Sequence, residues 1–228
     1  MKVFIHKQGA LVLIVLLSIS LAACSSSAEE QVYTHLEEAV SLEEGFQEQQ
    51  EPMIELEQQE QELYDEMLAL GLDEIDEIEE LADKAAGHAE ERSELLEKEK
   101  ESIDEAYEEY KLGEEEMDGI EDADAEADAV KEAMAGRYEA YGQLYESYSS
   151  AIESDMKLYE SFKNEELTVD ELQEQIDLVN DTYSSVVERR DNFNQFTDEY
   201  NEAKEALYLA AGLEVDSEET EKAEEADS

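Results

Sequence analysis

Apolar residues recur at intervals of three and four along almost the whole of this chain, and few residues interrupt them. Beyond the first 23 residues there is no run of alternating β-branched residues of the kind that forms strands. The 228 residues include one proline and nine glycines, which favours long uninterrupted helices. A helix with a narrow apolar stripe must bury that stripe against its neighbours. The pattern therefore predicts an all-α protein.

Four helical segments of about 40 residues each are expected, and each would be about 60 Å long. Their apolar stripes cover residues 32–70, 72–110, 130–162 and 172–207. Because the connections between them are short, successive helices must run antiparallel. The predicted fold is an elongated up-and-down antiparallel bundle of four long helices with coiled-coil-like packing. Two long hairpins that dimerise through their stripes are the alternative.

Local motifs mark several of the expected helix ends. Thr168 with Glu171 three residues later forms a capping box, which predicts a helix start. Glycine followed by an apolar residue predicts a left-handed helix stop at Gly71 and again at Gly212.

Two further features predict interruptions. Pro52 is expected to kink the first segment or to begin a second helix at its first position. The second segment is expected to end near Gly113, followed by a highly acidic connection over residues 113–128.

The first 23 residues have the features of a bacterial lipoprotein signal peptide. Lys2 and Lys7 precede a twelve-residue apolar segment at 10–21, which is too short to span a bilayer. The sequence Leu-Ala-Ala-Cys at 21–24 resembles a lipobox, and Cys24 is the only cysteine in the chain. We expect Cys24 to carry a diacylglyceryl group after cleavage before it. An uncleaved signal anchor, or an ordinary signal peptide with an incidental cysteine, is the alternative.

This interpretation divides the chain into four parts. They are a signal peptide at 1–23, a lipidated tether at 24–28, a helical bundle domain at 29–213 and an acidic disordered tail at 214–228. Two acyl chains give durable membrane anchoring. The expected location is therefore the outer face of the cytoplasmic membrane.

The charge of the chain excludes some partners. With 67 acidic and 15 basic residues, the net charge is −52, and no basic face is available to bind nucleic acid. Residues 24–228 carry 13 basic and 67 acidic residues, a net charge of −54. An anionic bilayer surface repels such a body, so we expect it to stand away from the membrane.

Catalytic and metal-binding motifs are not found in the sequence. His35 and His88 lack partners at the spacings used by zinc or di-iron sites. Residues 122–128 resemble the start of an EF-hand loop, but Ala127 and Ala133 occupy its glycine and glutamate positions. We expect a non-enzymatic protein with no cofactor and no dedicated metal site. Only weak association of divalent cations with this acidic segment is expected.

Four tyrosines share one face of the third segment. They are Tyr138, Tyr141, Tyr145 and Tyr148, spaced by three, four and three residues. Tyrosine rings stack on sugars, so these residues are candidates for binding a glycan. The alternative is that the rings belong to the core and their hydroxyls reach its rim, because the stripe continues without a break to Phe162.

Long stretches of the chain resemble one known family. They are residues 33–52 (YTHLEEAVSLEEGFQEQQEP), 58–64 (QQEQELY), 134–162 (MAGRYEAYGQLYESYSSAIESDMKLYESF), 167–176 (LTVDELQEQI) and 193–201 (FNQFTDEYN). These are similar to the "putative cell-wall binding lipoprotein" family of Gram-positive bacteria, the YkyA-like proteins. The resemblance implies a helical bundle outside the cytoplasmic membrane with peptidoglycan as a partner. Cys24 is the only residue to which this resemblance assigns a function.

Two classes of function follow. The first is a non-enzymatic lipoprotein with a wall-binding or wall-proximal structural role. The second is a docking partner that binds another cell-envelope protein complex through a helix face.

Overall fold

The computed structural model describes residues 27–70, 74–164 and 166–213, and these ranges contain five α-helices and no β-strand. The helices are α1 (Ala28–Leu42), α2 (Glu44–Ala69), α3 (Ile75–Met117), α4 (Asp124–Phe162) and α5 (Val169–Ala210). Only Glu43 separates α1 from α2, and both pack along α3. Together α1 and α2 form the first of four rods, and α3, α4 and α5 are the others. The predicted all-α bundle is confirmed.

Side-chain pairs show that successive rods run antiparallel. From the first rod to α3 the pairs are His35 with Glu109, Gln50 with Glu99 and Glu60 with Arg92. From α3 to α4 they are Asp104 with Tyr138, Glu97 with Tyr145 and Arg92 with Asp155. We call proximal the end of the bundle where α1 begins and α5 ends, and distal the end where α2 ends and α5 begins.

Twelve of the fourteen buried residues of α3 follow an unbroken alternation of four- and three-residue steps; the other two are Leu81 and Ser102. The twelve are Ile78, Ala82, Ala85, Ala89, Arg92, Leu96, Glu99, Ile103, Ala106, Tyr110, Gly113 and Met117. In α5 every seventh residue is buried, at Val179, Val186, Phe193, Tyr200 and Leu207. This is the heptad spacing of a coiled coil, as the sequence predicted.

The second helix of the first rod begins at Glu44 and not at Pro52, so the predicted helix start at Pro52 was wrong. The Ser102 hydroxyl of α3 lies between Leu42 and Phe46, which would bond each other in a continuous helix. It accepts a hydrogen bond from the Phe46 N–H at 3.0 Å and donates to the Leu42 carbonyl at 2.6 Å. Inserted side chains are a known cause of helix breaks. Helix α2 begins eight residues before Pro52 and continues through it.

The end of α3 also differs from the prediction. The helix passes through Gly113 to Met117, and α4 begins at Asp124, so the acidic connection is only residues 118–123. Gly113 serves packing and does not stop the helix, because an added Cβ would lie 3.0 Å from the His35 Cβ of α1. A glycine that admits a neighbouring helix looks the same in sequence as one that ends a helix.

Two other predicted helix ends are confirmed. The Thr168 side chain and Glu171 form the reciprocal bonds of a capping box at the start of α5. Gly212 has a φ of 70°, and the Leu213 N–H donates to the Tyr208 carbonyl at 2.9 Å, as in a Schellman motif. The expected stop at Gly71, the signal peptide at 1–23 and the tail at 214–228 lie outside the described residues.

Replacing Ser102 with alanine tests the cause of the break. Ser102→Ala should lower the free energy of unfolding by about 1–3 kcal/mol, because the Leu42 carbonyl loses the Ser102 donor and the Phe46 N–H keeps only its bond to the Glu43 carbonyl. Urea denaturation measures the change. Ser93→Ala, a half-buried serine of the same helix, controls for the helix propensity of alanine. Equal stability of the two variants would contradict the assignment.

Candidate functional site

The predicted lipidation site lies immediately before the described bundle. Cys24 is outside the described residues, and α1 begins four residues later at Ala28, with the Ser27 side chain accepting from the Glu30 N–H at 3.3 Å. Four residues span at most about 14 Å. A lipid on Cys24 would therefore stay close to the proximal end.

Both neighbouring rods hold the first helix at the proximal end. Glu37 of α1 accepts hydrogen bonds from Lys204 at 3.2 Å and from Tyr208 at 2.8 Å, both on α5. On its other side, the His35 Nδ1 of α1 lies 2.7 Å from the Glu109 carboxylate of α3. The helix that follows Cys24 is thus tied to α3 and to α5.

The four tyrosines of α4 lie between rods. Tyr141 is 2% exposed and Tyr148 9%, while Tyr138 and Tyr145 are half-buried. The ring of Tyr138 stacks on that of Tyr107, with centroids 3.8 Å apart, and Lys100 Nζ lies 5.7 Å from the Tyr145 centroid. A sugar could reach only the outer parts of Tyr138 and Tyr145. Their glycan-stacking role stays a prediction.

Three of the four tyrosine hydroxyls bind carboxylates. Tyr138 donates to Asp104 at 2.9 Å, Tyr145 donates to Glu97, and Tyr148 donates to Glu57. Burial together with Asp104 raises the pKa of Tyr138 to about 12, and the hydrogen bond to Glu97 with burial does the same for Tyr145. Both hydroxyls therefore remain neutral donors at physiological pH.

A buried ionic network around Arg92 connects all four rods. Arg92 of α3 is 1% exposed, and its Nη1 donates to both carboxylate oxygens of Glu60 on α2, at 3.1 and 3.0 Å. The same nitrogen lies 3.2 Å from Asp155 Oδ2 of α4, and Nη2 donates to the Tyr183 hydroxyl of α5 at 2.8 Å. Tyr159 donates to Glu60 at 2.9 Å. One guanidinium thus binds two carboxylates and a phenol.

A second cation lies beside the Glu43 break. Arg137 of α4 donates from both terminal nitrogens to the Glu43 carboxylate, each at 2.7 Å, and from Nε to Thr197 of α5 at 3.0 Å. A cavity with room for about one water molecule adjoins this pair and is also lined by Tyr141. The Tyr141 hydroxyl has no hydrogen-bond partner among the described residues.

The buried charged residues were not expected from the sequence. In α3, Arg92 and Glu99 fill the gaps between Ala89, Leu96 and Ile103 in the four-three series. Arg137 and Asp155 occupy buried positions of α4 in the same way. The sequence does contain a signal for them: a charged residue stands at a position where the four-three spacing calls for an apolar one.

The acidic segment at 122–128 lies at the start of α4. Asp122 has a φ of 61° in the connection, and the helix begins at Asp124. Within residues 27–70, 74–164 and 166–213, no group of three or more His, Cys, Asp or Glu side chains could hold a metal ion. Within the same ranges, no helix is long and apolar enough to cross a membrane.

Comparisons with known proteins cover most of the chain. The sequence model of a family described as "Putative cell-wall binding lipoprotein" (YkyA) matches residues 27–210. The "Uncharacterized lipoprotein YkyA" of Bacillus subtilis (strain 168) is 35% identical over 188 residues, which cover 82% of this chain and 84% of that relative.

A solved structure shares the fold. It is a 1.6 Å crystal structure of a conserved protein of unknown function from Staphylococcus aureus, with a TM-score of 0.53 at 13% sequence identity. The match covers 81% of this chain and 97% of the other. At this identity the likeness concerns the fold alone.

Removing the cation of the buried network should strongly destabilise the bundle. We expect Arg92→Met to lower the free energy of unfolding by about 3–5 kcal/mol, because the buried carboxyl groups of Glu60 and Asp155 lose their only cation. Arg190→Met, at a half-exposed arginine of α5, should cost less than about 1 kcal/mol. Chemical denaturation of both variants checks this, and equal costs would show that the Arg92 pairing is not structural.

Proposed function

This chain belongs to the family of "putative cell-wall binding lipoproteins", as its sequence predicted, and from that premise we propose that it is a non-enzymatic lipoprotein anchored through Cys24. Its helical bundle would stand outside the cytoplasmic membrane and contact the cell wall. The observation that carries this proposal is the place of Cys24, which lies three residues before the start of the family match and four before the first helix.

The dimensions of the bundle suit a spacer between membrane and wall. The longest helix, α3, has 43 residues, which corresponds to about 65 Å. With the lipid held near the proximal end, the long sides and the distal end are the surfaces free to meet the wall. The family description names binding and no reaction, which supports a non-enzymatic role.

The charge of the bundle restricts how it can contact the wall. Residues 24–228 have a net charge of −54, and wall teichoic acids are also polyanions, so direct charge attraction is not available. Contact must then come from divalent cations that bridge the two surfaces, or from hydrogen bonds and ring stacking. Because neighbouring side chains cover Tyr138 and Tyr145 in part, we favour bridging by cations.

Lipidation is tested by metabolic labelling with palmitate. The native chain should take up the label. Cys24→Ala should take up none, and it should either be released to the medium or remain as an uncut precursor. Ser25→Ala is the matched control, since it changes a neighbouring residue and keeps the thiol. Label retained by the Cys24→Ala chain would refute the anchor.

Wall contact is tested by sedimentation of the non-lipidated chain, residues 25–228, with purified wall sacculi. Bridged binding should strengthen with magnesium or calcium and disappear with a chelator. Binding by ring stacking should not change with the chelator, and it should weaken in Tyr138→Leu or Tyr145→Leu at unchanged helix content. Tyr33→Leu, at a half-buried tyrosine of α1, is the control. A chain that does not sediment under either condition has no wall-binding role, and docking to an envelope protein then becomes the better proposal.

A further inference from the structure

The interior of the bundle contains more carboxyl groups than cations to pair with them. Arg137 is matched by Glu43 alone, with two hydrogen bonds. Arg92 faces two carboxylates, those of Glu60 and Asp155.

Glu99 adds a further unmatched carboxyl. It is 4% exposed and accepts a hydrogen bond from Gln50. No cationic side chain of the described residues forms an ion pair with it. Two buried carboxyls therefore lack a compensating positive charge.

A carboxylate removed from water without a cation takes up a proton in preference to remaining charged. We propose that the folded bundle binds two protons in its interior near neutral pH, one shared by Glu60 and Asp155 around Arg92 and one on Glu99. The stability of the bundle is then linked to the pH of its surroundings.

The surroundings of the first proton come from all four rods. The groups that face it are Arg92 of α3, Asp155 and Tyr159 of α4, Tyr183 of α5, and Glu57 of the same helix as Glu60. Burial raises the pKa of Glu60 to about 7, although the charge of Arg92 opposes this. Burial also raises the pKa of Asp155 above its ordinary value. A single cation does not keep both carboxyls ionised.

The second proton has neutral surroundings. The groups that face Glu99 are Gln50 of α2 and the phenols of Tyr141 and Tyr148 on α4. Burial raises the pKa of Glu99 to about 8, and the hydrogen bond from Gln50 only partly opposes the shift. A protonated Glu99 can still accept that bond through its carbonyl oxygen.

The direction of the linkage follows from these shifts. An unfolded glutamate loses its proton near pH 4.5, whereas folded Glu99 keeps it to about pH 8. The retained proton stabilises the folded chain fully below pH 4.5, and this stabilisation is lost as the pH rises to the folded pKa of about 8. Between these two pH values, one retained proton makes the unfolding equilibrium constant rise about tenfold per pH unit. Glu60 and Glu99 both bond across the α2–α3 contact.

The test compares Glu99→Gln with the native full chain, both purified in non-ionic detergent. Chemical denaturation is followed from about pH 5 to about pH 9 in molar NaCl, which screens the surface charges. The native unfolding constant, divided by that of Glu99→Gln, should have its lowest value at pH 5, the acid end of this range. The ratio should then increase about tenfold per pH unit and level off near pH 8. Glu101→Gln, at an exposed glutamate of the same helix, should track the native chain.

Parallel pH profiles for the native chain and Glu99→Gln would overturn the proposal. Infrared spectroscopy gives a second readout that does not depend on the variant folding. At pH 6.5 the folded native chain should show the carbonyl stretch of protonated carboxylic acids, which unfolding at the same pH removes. Glu60→Gln and Glu99→Gln should each weaken that band, and Glu101→Gln should leave it unchanged. A folded native chain without the band would equally overturn the proposal.

Discussion

The bonds around Arg92 determine how the four rods are aligned. The line of apolar contacts between two rods, here called the seam, repeats every seven residues. Apolar contacts alone therefore allow one rod to slide along another by one heptad at modest cost. Glu60, Asp155 and Tyr183 lie on three different rods and bond to one guanidinium. Sliding any of these rods would leave a buried charge or hydroxyl without a partner, at the cost of several kcal/mol. The polar network therefore selects one register from those that the seam permits.

The break at Glu43 belongs to the same system of constraints. Ser102 opens the first rod, Gly45 leaves the space for it, and the adjacent Glu43 is bound by Arg137 of α4. The side chains that fix the break, Ser102 and Arg137, come from other rods, so the break forms only when the bundle does.

The sequence was sufficient for the features that depend on local pattern. The four-three spacing gave the helices, and the Thr168 capping box and the Gly212 stop were found where expected. Features that depend on a partner from another rod were not predictable. Pro52 was a stronger local breaker than anything at residue 43, yet the break depends on Ser102. Glu99 looks like any other of the 67 acidic residues until its neighbours are known.

A bundle with an even number of rods returns the chain to the end at which it began. Ala28 and Leu213 both pack in the apolar cluster of the proximal end, while the described residues at the distal end belong to the links between α2 and α3 and between α4 and α5. If the chain is anchored through Cys24 as proposed, a force between that lipid and a contact at the distal end would enter through α1 and pull the first rod lengthwise past α3. The ionic network and the Ser102 bonds would resist it together in shear, which is the loading geometry in which parallel cross-links share stress instead of failing one after another.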